Sequence, residues 1–287
     1  MHSEEEKPAV SQNLTPPSSP LLAFIHMEKA AGMTVHSVLR RSFGVRHVTI
    51  QEIRRNSTLF ESRDLQLLLR LYPGLRSIGG HEIQLTSGLE SVIPHTFYWT
   101  LLREPITRCA SHYQYQCVNL RIKESFESWI RRPEFRNLQC GRLGGEGSCD
   151  RAIRAVEEKG AFVGLVERFN ESLLLLNERI GETLDITYRL ENVASSSQIM
   201  RELLGSPRTL ELLVDANRED VRLYRHFAEQ VFPSAVNTYK GDLTRELGVL
   251  NDRLSQPIPW ALQERCSEVK RLTLFKTMRL ASMLASR

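Results

Sequence analysis

Apolar residues along the chain follow two rhythms. Short segments at 21–25 (LLAFI), 75–80 (LRSIGG), 96–102 (TFYWTLL) and 162–166 (FVGLV) have the length, and in the third case the β-branched and aromatic content, of buried strands. Val48 and Ile50 mark a shorter one. Between the runs, apolar positions recur every three or four residues. Val35, Val38, Leu39 and Phe43 form one face of a helix, and further helices are predicted over about 64–71, 105–118, 150–159, 170–180 and 208–230. The Tyr72-Pro73-Gly74 turn ends one of them, Pro105 suits the first position of another, and the glycines of FRNLQCGRLGG (135–145) predict a loop. Strands alternating with helices imply an α/β domain over 21–287, its central parallel sheet covered on both faces. Residues 1–20 hold acids, prolines and Ser/Thr with almost no large apolar group, so a disordered lead-in is expected.

Open parallel sheets bind ligands outside the carboxyl ends of their strands, which directs attention to the residue after each run. The first run leads into Glu28, Lys29, Ala30, Ala31, Gly32, Met33 and Thr34. Small residues there let backbone N–H groups approach a ligand, and Thr34 is placed to cap the new helix. An anion would meet unpaired amides and the positive end of the helix dipole. Only seven of the 38 basic side chains are lysines, so Lys29 stands out. The loop lacks the G-x-x-x-x-G-K-[ST] order, with Lys29 ahead of the glycine, which disfavours ATP-type chemistry. By itself it also reads as an ordinary turn with a solvated lysine. Gly79-Gly80-His81 and Arg103 close the second and third runs at the same predicted edge.

At 287 residues, 41% hydrophobic and 25% charged, the chain can bury one large core or at most two small ones. No apolar run approaches the roughly 18 residues of a membrane span, and MHSEEEK is acidic where a signal peptide is basic, so a cytoplasmic location is expected. A net charge of +4 suits an anionic ligand but not a dedicated nucleic-acid binder. The five cysteines form no C-x-x-C pair; free thiols are expected, with Cys140 and Cys149 the pair able to close a small loop. His26, His36, His47 and His95 show no metal-ligand spacing. Sequons at Asn13, Asn56 and Asn170 carry no weight without an export signal. Residues 264–287 read as a basic amphipathic helix, packed on the domain in preference to a membrane.

Taken together, FIHMEKAAGMT, Gly80-His81 and TLLREPITRCASHY, followed by NLQCGRL, GLVERFNESLLLL and NREDVRLY, resemble the signatures of sulfotransferases that use 3′-phosphoadenosine 5′-phosphosulfate (PAPS). The likeness is to the carbohydrate group that includes heparan and chondroitin sulfotransferases, over residues 21–226. It implies a P-loop-like sulfotransferase fold and metal-free transfer of a sulfuryl group to a hydroxyl acceptor, with carbohydrate favoured. Carried residue by residue, it implies that Lys29, with Ala31, Gly32, Met33 and Thr34, holds the 5′-phosphosulfate. Arg103 and Ser111 would grip the 3′-phosphate. His81 would be the general base, with Glu82 the runner-up and His26 a packed residue. Arg121, Arg136 and Arg142 would face an anionic saccharide or simply solvent. The chain departs from the family pattern at Glu28 (usually proline), Ala30 (usually threonine), Met33 (usually a hydroxyl residue) and Glu104 (usually aspartate). Those departures keep open a non-catalytic nucleotide- or glycan-binding module; a small kinase would need Mg2+ ligands that the sequence does not offer.

Overall fold

The computed structural model describes residues 20–53, 59–181, 184–189 and 197–258. Strands β1 (Leu21–Ile25), β2 (His47–Thr49), β3 (Ser77–Gly80), β4 (Thr96–Leu102) and β5 (Phe162–Leu165) form one wholly parallel sheet in the order β2-β3-β1-β4-β5. Helices α1 (Gly32–Phe43), α2 (Ile50–Ile53), α3 (Ser62–Leu71), α4 (Pro105–Asn119), α5 (Phe126–Trp129), α6 (Leu138–Gly144) and α7 (Cys149–Lys159) fill the connections as far as β5. Beyond it come α8 (Phe169–Ile180), α9 (Gln198–Gly205), α10 (Pro207–Ala216), α11 (Arg218–His226), α12 (Phe232–Asn237) and α13 (Leu243–Ser255).

The central strand explains the double layer. Leu21, Ala23 and Ile25 of β1 enter one buried cluster with Ile78, Tyr98, Leu102 and Leu165, while Leu22 and Phe24 enter another with Val35, Leu39, Trp99 and Leu101. Alternation along a strand apolar at every position buries both faces, as a parallel sheet requires. A third cluster joins α4, α5, α9 and α10 around Trp129.

Four local expectations are corrected. The segment 135–145 is not a loop throughout. Its middle is α6, because the buried Asp220 carboxylate accepts from the amides of Gln139 (3.0 Å) and Cys140 (2.8 Å), a cap delivered from α11 that no local pattern shows. The helix predicted over 208–230 breaks at Asn217, a buried residue with φ −117° and ψ 23° whose side-chain amide donates to Leu213 O. Thr34 does not cap α1. The cap position is Ala31, in the left-handed region at φ 59°, and Thr34 is buried in the first turn. Glu104, by contrast, caps α4 by accepting from the amides of Ile106 and Thr107. Ile50 leaves the strand to begin α2.

Cys109, Cys117, Cys140 and Cys149 are free thiols, so the small loop stays unbridged. Residues 1–19 of the expected lead-in, the helix expected over 264–287 and Cys266 lie outside the described residues. Among the described residues, no helix is long and apolar enough to cross a membrane, and no group of three or more His, Cys, Asp or Glu is arranged to hold a metal ion.

Candidate active site at the carboxyl edge of the sheet

Register places the candidate residues together. Ile25, the last residue of β1, lies opposite Gly80 of β3 and Thr100 of β4, so the three neighbouring strands deliver His26, His81 and Arg103 to one edge. From there β1 connects toward β2 and β4 toward β5, in opposite directions across the sheet. A crevice opens between such strand ends. Lys29 borders it from one side and Arg103 from the other.

The loop from His26 to Ala31 is tightly wound. Lys29 (φ 65°) and Ala31 (φ 59°) both occupy the left-handed region, which L residues enter at a cost of about 1 kcal/mol or more each. Strain of that kind persists where surrounding structure imposes it. Gly32 is obligatory, since a Cβ there would overlap the imidazole of His26. Because α1 begins with no side-chain cap and no acid in its first turn, its leading amides are available to an anion.

The Arg103 side chain donates to the carbonyl oxygen of Lys29 at 2.9 Å, tying the two strand ends together. Gln139, wholly buried, pins the Arg103 backbone on both sides, accepting from its N–H and donating to its C=O at 3.0 Å each. The Lys29 ammonium lies 4.7 Å from the ring centre of Tyr115. Partial burial, then the charge of Arg103, pushes Lys29 below the usual lysine range. Burial also lowers Arg103; Glu167 opposes that shift and the buried Arg108 adds to it. Among the described residues neither Lys29 nor Arg103 forms an ion pair with a carboxylate. Ser111, two turns into α4, is half-buried, and its hydroxyl has no hydrogen-bond partner among the described residues.

The neighbouring strand end is arranged differently. His81 Nδ1–H donates to the carbonyl oxygen of His26 at 2.6 Å, and its ring stacks on the His26 ring with centroids 4.0 Å apart. That bond leaves Nε2 with the free lone pair. Glu28 Oε1 stands 3.7 Å from His81 Nδ1 and is ion-paired with Arg142, whose Nη1 also donates to His81 O at 3.0 Å. Burial would raise Glu28, but His81 and Arg142 together hold it down at about 2. Behind His26 the buried imidazoles continue inward: His26 meets His36 at 3.2 Å, His36 meets His47 at 3.0 Å, and His47 meets the Ser77 hydroxyl at 3.1 Å. Burial depresses all three, His47 to about 3.

The structure therefore brings Lys29, Ala31, Gly32, Met33, Thr34, Arg103 and His81 to one edge, with Ser111 on the helix that follows Arg103. Glu82 is buried, with one carboxylate oxygen unpartnered and its pKa raised first by that burial. His26 is a packed residue, but as the hub of the imidazole chain. Two of the arginines considered for the acceptor are engaged: Arg142 with Glu28 and Arg136 with Asp215 at 2.9 Å, while Arg121 is exposed. Tyr115 and Gln139 were missed. The i, i+4 spacing of Tyr115 from Ser111 on α4 could have found the first; no local signal marks the second.

No family model matches the chain. Curated relatives named galactose-3-O-sulfotransferase 3 align with it from Bos taurus, at 28% identity over 82% of this chain and 62% of that protein, and from Mus musculus, at 29% over 72% and 55%. The human protein of that name aligns at 28% over 74% of this chain and 56% of its own length. The chain thus spans about three-fifths of the length of the relatives it matches. Two solved structures share a loose likeness. A sulfotransferase from Alicyclobacillus acidocaldarius has a TM-score of 0.41 and 15% identity over 72% of this chain and 99% of that one. A mouse sulfotransferase complexed with PAP has 0.38 and 12% over 87% and 88%. Overlays so loose fix no residue correspondence. The sequence matches make the chain similar to galactose-3-O-sulfotransferases over 72–82% of its length and support the resemblance to carbohydrate sulfotransferases carried by the ordered motifs from the first strand through α11.

Proposed function

We propose that the chain transfers a sulfuryl group from PAPS to a hydroxyl of a saccharide, with galactose the first acceptor to try because the relatives are named for it. The observation that carries the reading is the meeting of Lys29 and Arg103 across the crevice, two cations held together with neither ion-paired to a carboxylate among the described residues. Such an arrangement is costly when empty and suits a polyanion.

The residues fit the nucleotide. Lys29 and the first amides of α1 would hold the 5′-phosphosulfate, and Arg103 with Ser111 the 3′-phosphate. Bound PAPS supplies the sulfuryl group. His81 receives the acceptor proton at Nε2, since Nδ1–H is already committed to the His26 carbonyl. Lys29 neutralises charge on the departing phosphate. Removing one such donor typically costs about 10²–10³-fold in rate. The carboxylate that favoured a non-catalytic module is taken up by Arg142, and the charge that Lys29 feels is that of Arg103, not Glu28.

The test is a pair of melts and a transfer assay. 3′-Phosphoadenosine 5′-phosphate (PAP) should raise the melting temperature well above the effect of ATP with Mg2+, and Lys29→Ala should abolish that difference. Sulfur-labelled PAPS should then label a galactose-terminated saccharide. Equal stabilisation by both nucleotides would sink the nucleotide assignment; PAP binding without transfer to any saccharide would sink the catalytic one.

A further inference from the structure

We infer that Glu28 and Arg142 form a clamp that positions His81 for proton abstraction, an inference that rests on the reading of His81 as the base. Glu28 occupies a place where the resemblance leads one to expect proline, and the structure gives the substitution a use. Its carboxylate lies 3.7 Å from His81 Nδ1 and is ion-paired with the Arg142 guanidinium, Nε at 3.4 Å from Oε2 and Nη2 on Oε1. Arg142 in turn donates to the His81 carbonyl at 3.0 Å. One arginine therefore fixes both the histidine's backbone and the acid beside its ring. The ring itself stacks on that of His26, with centroids 4.0 Å apart.

The division of labour follows from the distances. The His26 carbonyl, at 2.6 Å, is the direct acceptor of Nδ1–H and sets the tautomer. Glu28 is too far for that bond but close enough to favour the imidazolium formed once Nε2 has taken the acceptor proton. Taking up the acceptor proton at Nε2 adds positive charge to the ring, so a carboxylate at that distance stabilises the transition state more than a neutral group there would. Other charged or titratable groups that act on this cluster are Glu82, His36 and His112, with Lys29 acting on His112 as well. Among the described residues, Glu28 is the acid with a carboxylate oxygen within 4 Å of the His81 ring nitrogens. Glu28 and Arg142 are thus positioning residues; neither is assigned a contact with substrate.

The experiment compares full-length wild type, Glu28→Gln, Glu28→Gln with Arg142→Gln, and His81→Asn. Melting with and without PAP establishes that each is folded. With the galactoside turned over in the transfer assay, Glu28→Gln should lose about 10- to 100-fold in kcat at unchanged KM for PAPS. The double variant, which removes the stranded guanidinium too, should be no faster. In histidine-labelled protein saturated with PAP, the protected Nδ1–H proton of His81, identified by its absence in His81→Asn, should exchange faster in Glu28→Gln. An unchanged kcat and unchanged exchange in a Glu28→Gln protein that binds PAP would overturn the clamp while leaving the base assignment intact. Recovery of turnover in the double variant would also overturn it, by tracing the loss to an unpaired Arg142. Persistent turnover in His81→Asn, or none in wild type, would overturn the base reading and the clamp with it.

Discussion

Two strand ends lie side by side at the carboxyl edge of the sheet and treat charge in opposite ways. Between β1 and β4, Lys29 and Arg103 are brought together and joined through a backbone carbonyl, with no acid paired to either among the described residues and both below their ordinary pKa. Between β1 and β3, Glu28 is answered by Arg142 and His81. The first arrangement costs free energy in the empty protein and the second does not. A charge conflict held by left-handed backbone and a buried glutamine marks where a ligand completes the structure; a satisfied cluster marks where geometry is being held.

The largest effect should come from Lys29→Met. Turnover should fall about 10²–10³-fold, yet the nucleotide-free protein should melt at the same temperature or slightly higher. The gain is less than about 1 kcal/mol, because Lys29 is only half-buried and solvent screens the repulsion. Melting curves with and without PAP would show the crossover, with the variant equal or ahead when empty and behind when PAP is present. If the empty variant lost well over 1 kcal/mol, Lys29 would be a structural residue and the contrast would fail.

The layers of the sheet were legible because β1 and β4 are apolar at nearly every position, and that pattern survives without knowledge of partners. So was the β1-loop-α1 unit. What stayed hidden was set by distant residues. Asp220 turns a glycine-rich stretch into α6, Gln139 orients Arg103, and Arg142 takes up Glu28. None of these pairings has a spacing that a local window can detect. Glu28 therefore read as a liability beside a polyanion site, although its charge is directed elsewhere.

Beneath the satisfied cluster, acid should reveal what holds it. His26, His36 and His47 are buried and held neutral, His47 down at about 3 against an ordinary 6.5. Below pH 6.5 the unfolded chain binds protons that the folded chain refuses, so their contribution is complete above that pH and lost as pH falls. Each contributes a slope of about 1.4 kcal/mol per pH unit. Glu28, lowered from 4.5 to about 2, adds a second loss only below pH 4.5. Glu82 and Asp220, both raised by burial, slope the other way from about the carboxylate range upward. The useful measurement is therefore a difference. Between pH 6.5 and 4.5, urea unfolding of His47→Gln should show a flatter pH dependence than wild type, by about one histidine's slope. Parallel curves would mean that the imidazole chain is not held neutral, and the contrast between the two strand ends would lose its buried support.

The smallest effect sharpens the cationic side. Two hydroxyl positions of the family pattern are apolar here, and the structure separates them. Ala30 is 1% exposed and packed in the core, whereas Met33 is 42% exposed in the first turn of α1. Restoring a hydroxyl at Ala30 should overpack the core and cost about 1–3 kcal/mol. At Met33 the space is open, and a threonine adds a donor at a helix end that already favours anions. Helix propensity opposes the change by a few tenths of a kcal/mol, against about 1 kcal/mol for the new bond. Calorimetric titration should show PAP binding a few-fold more tightly to Met33→Thr. Ala30→Thr should show a lower melting temperature without that gain. If neither substitution changed PAP affinity, the phosphate would not be resting on the first turn of α1, and Lys29 would be binding its anion with its side chain alone.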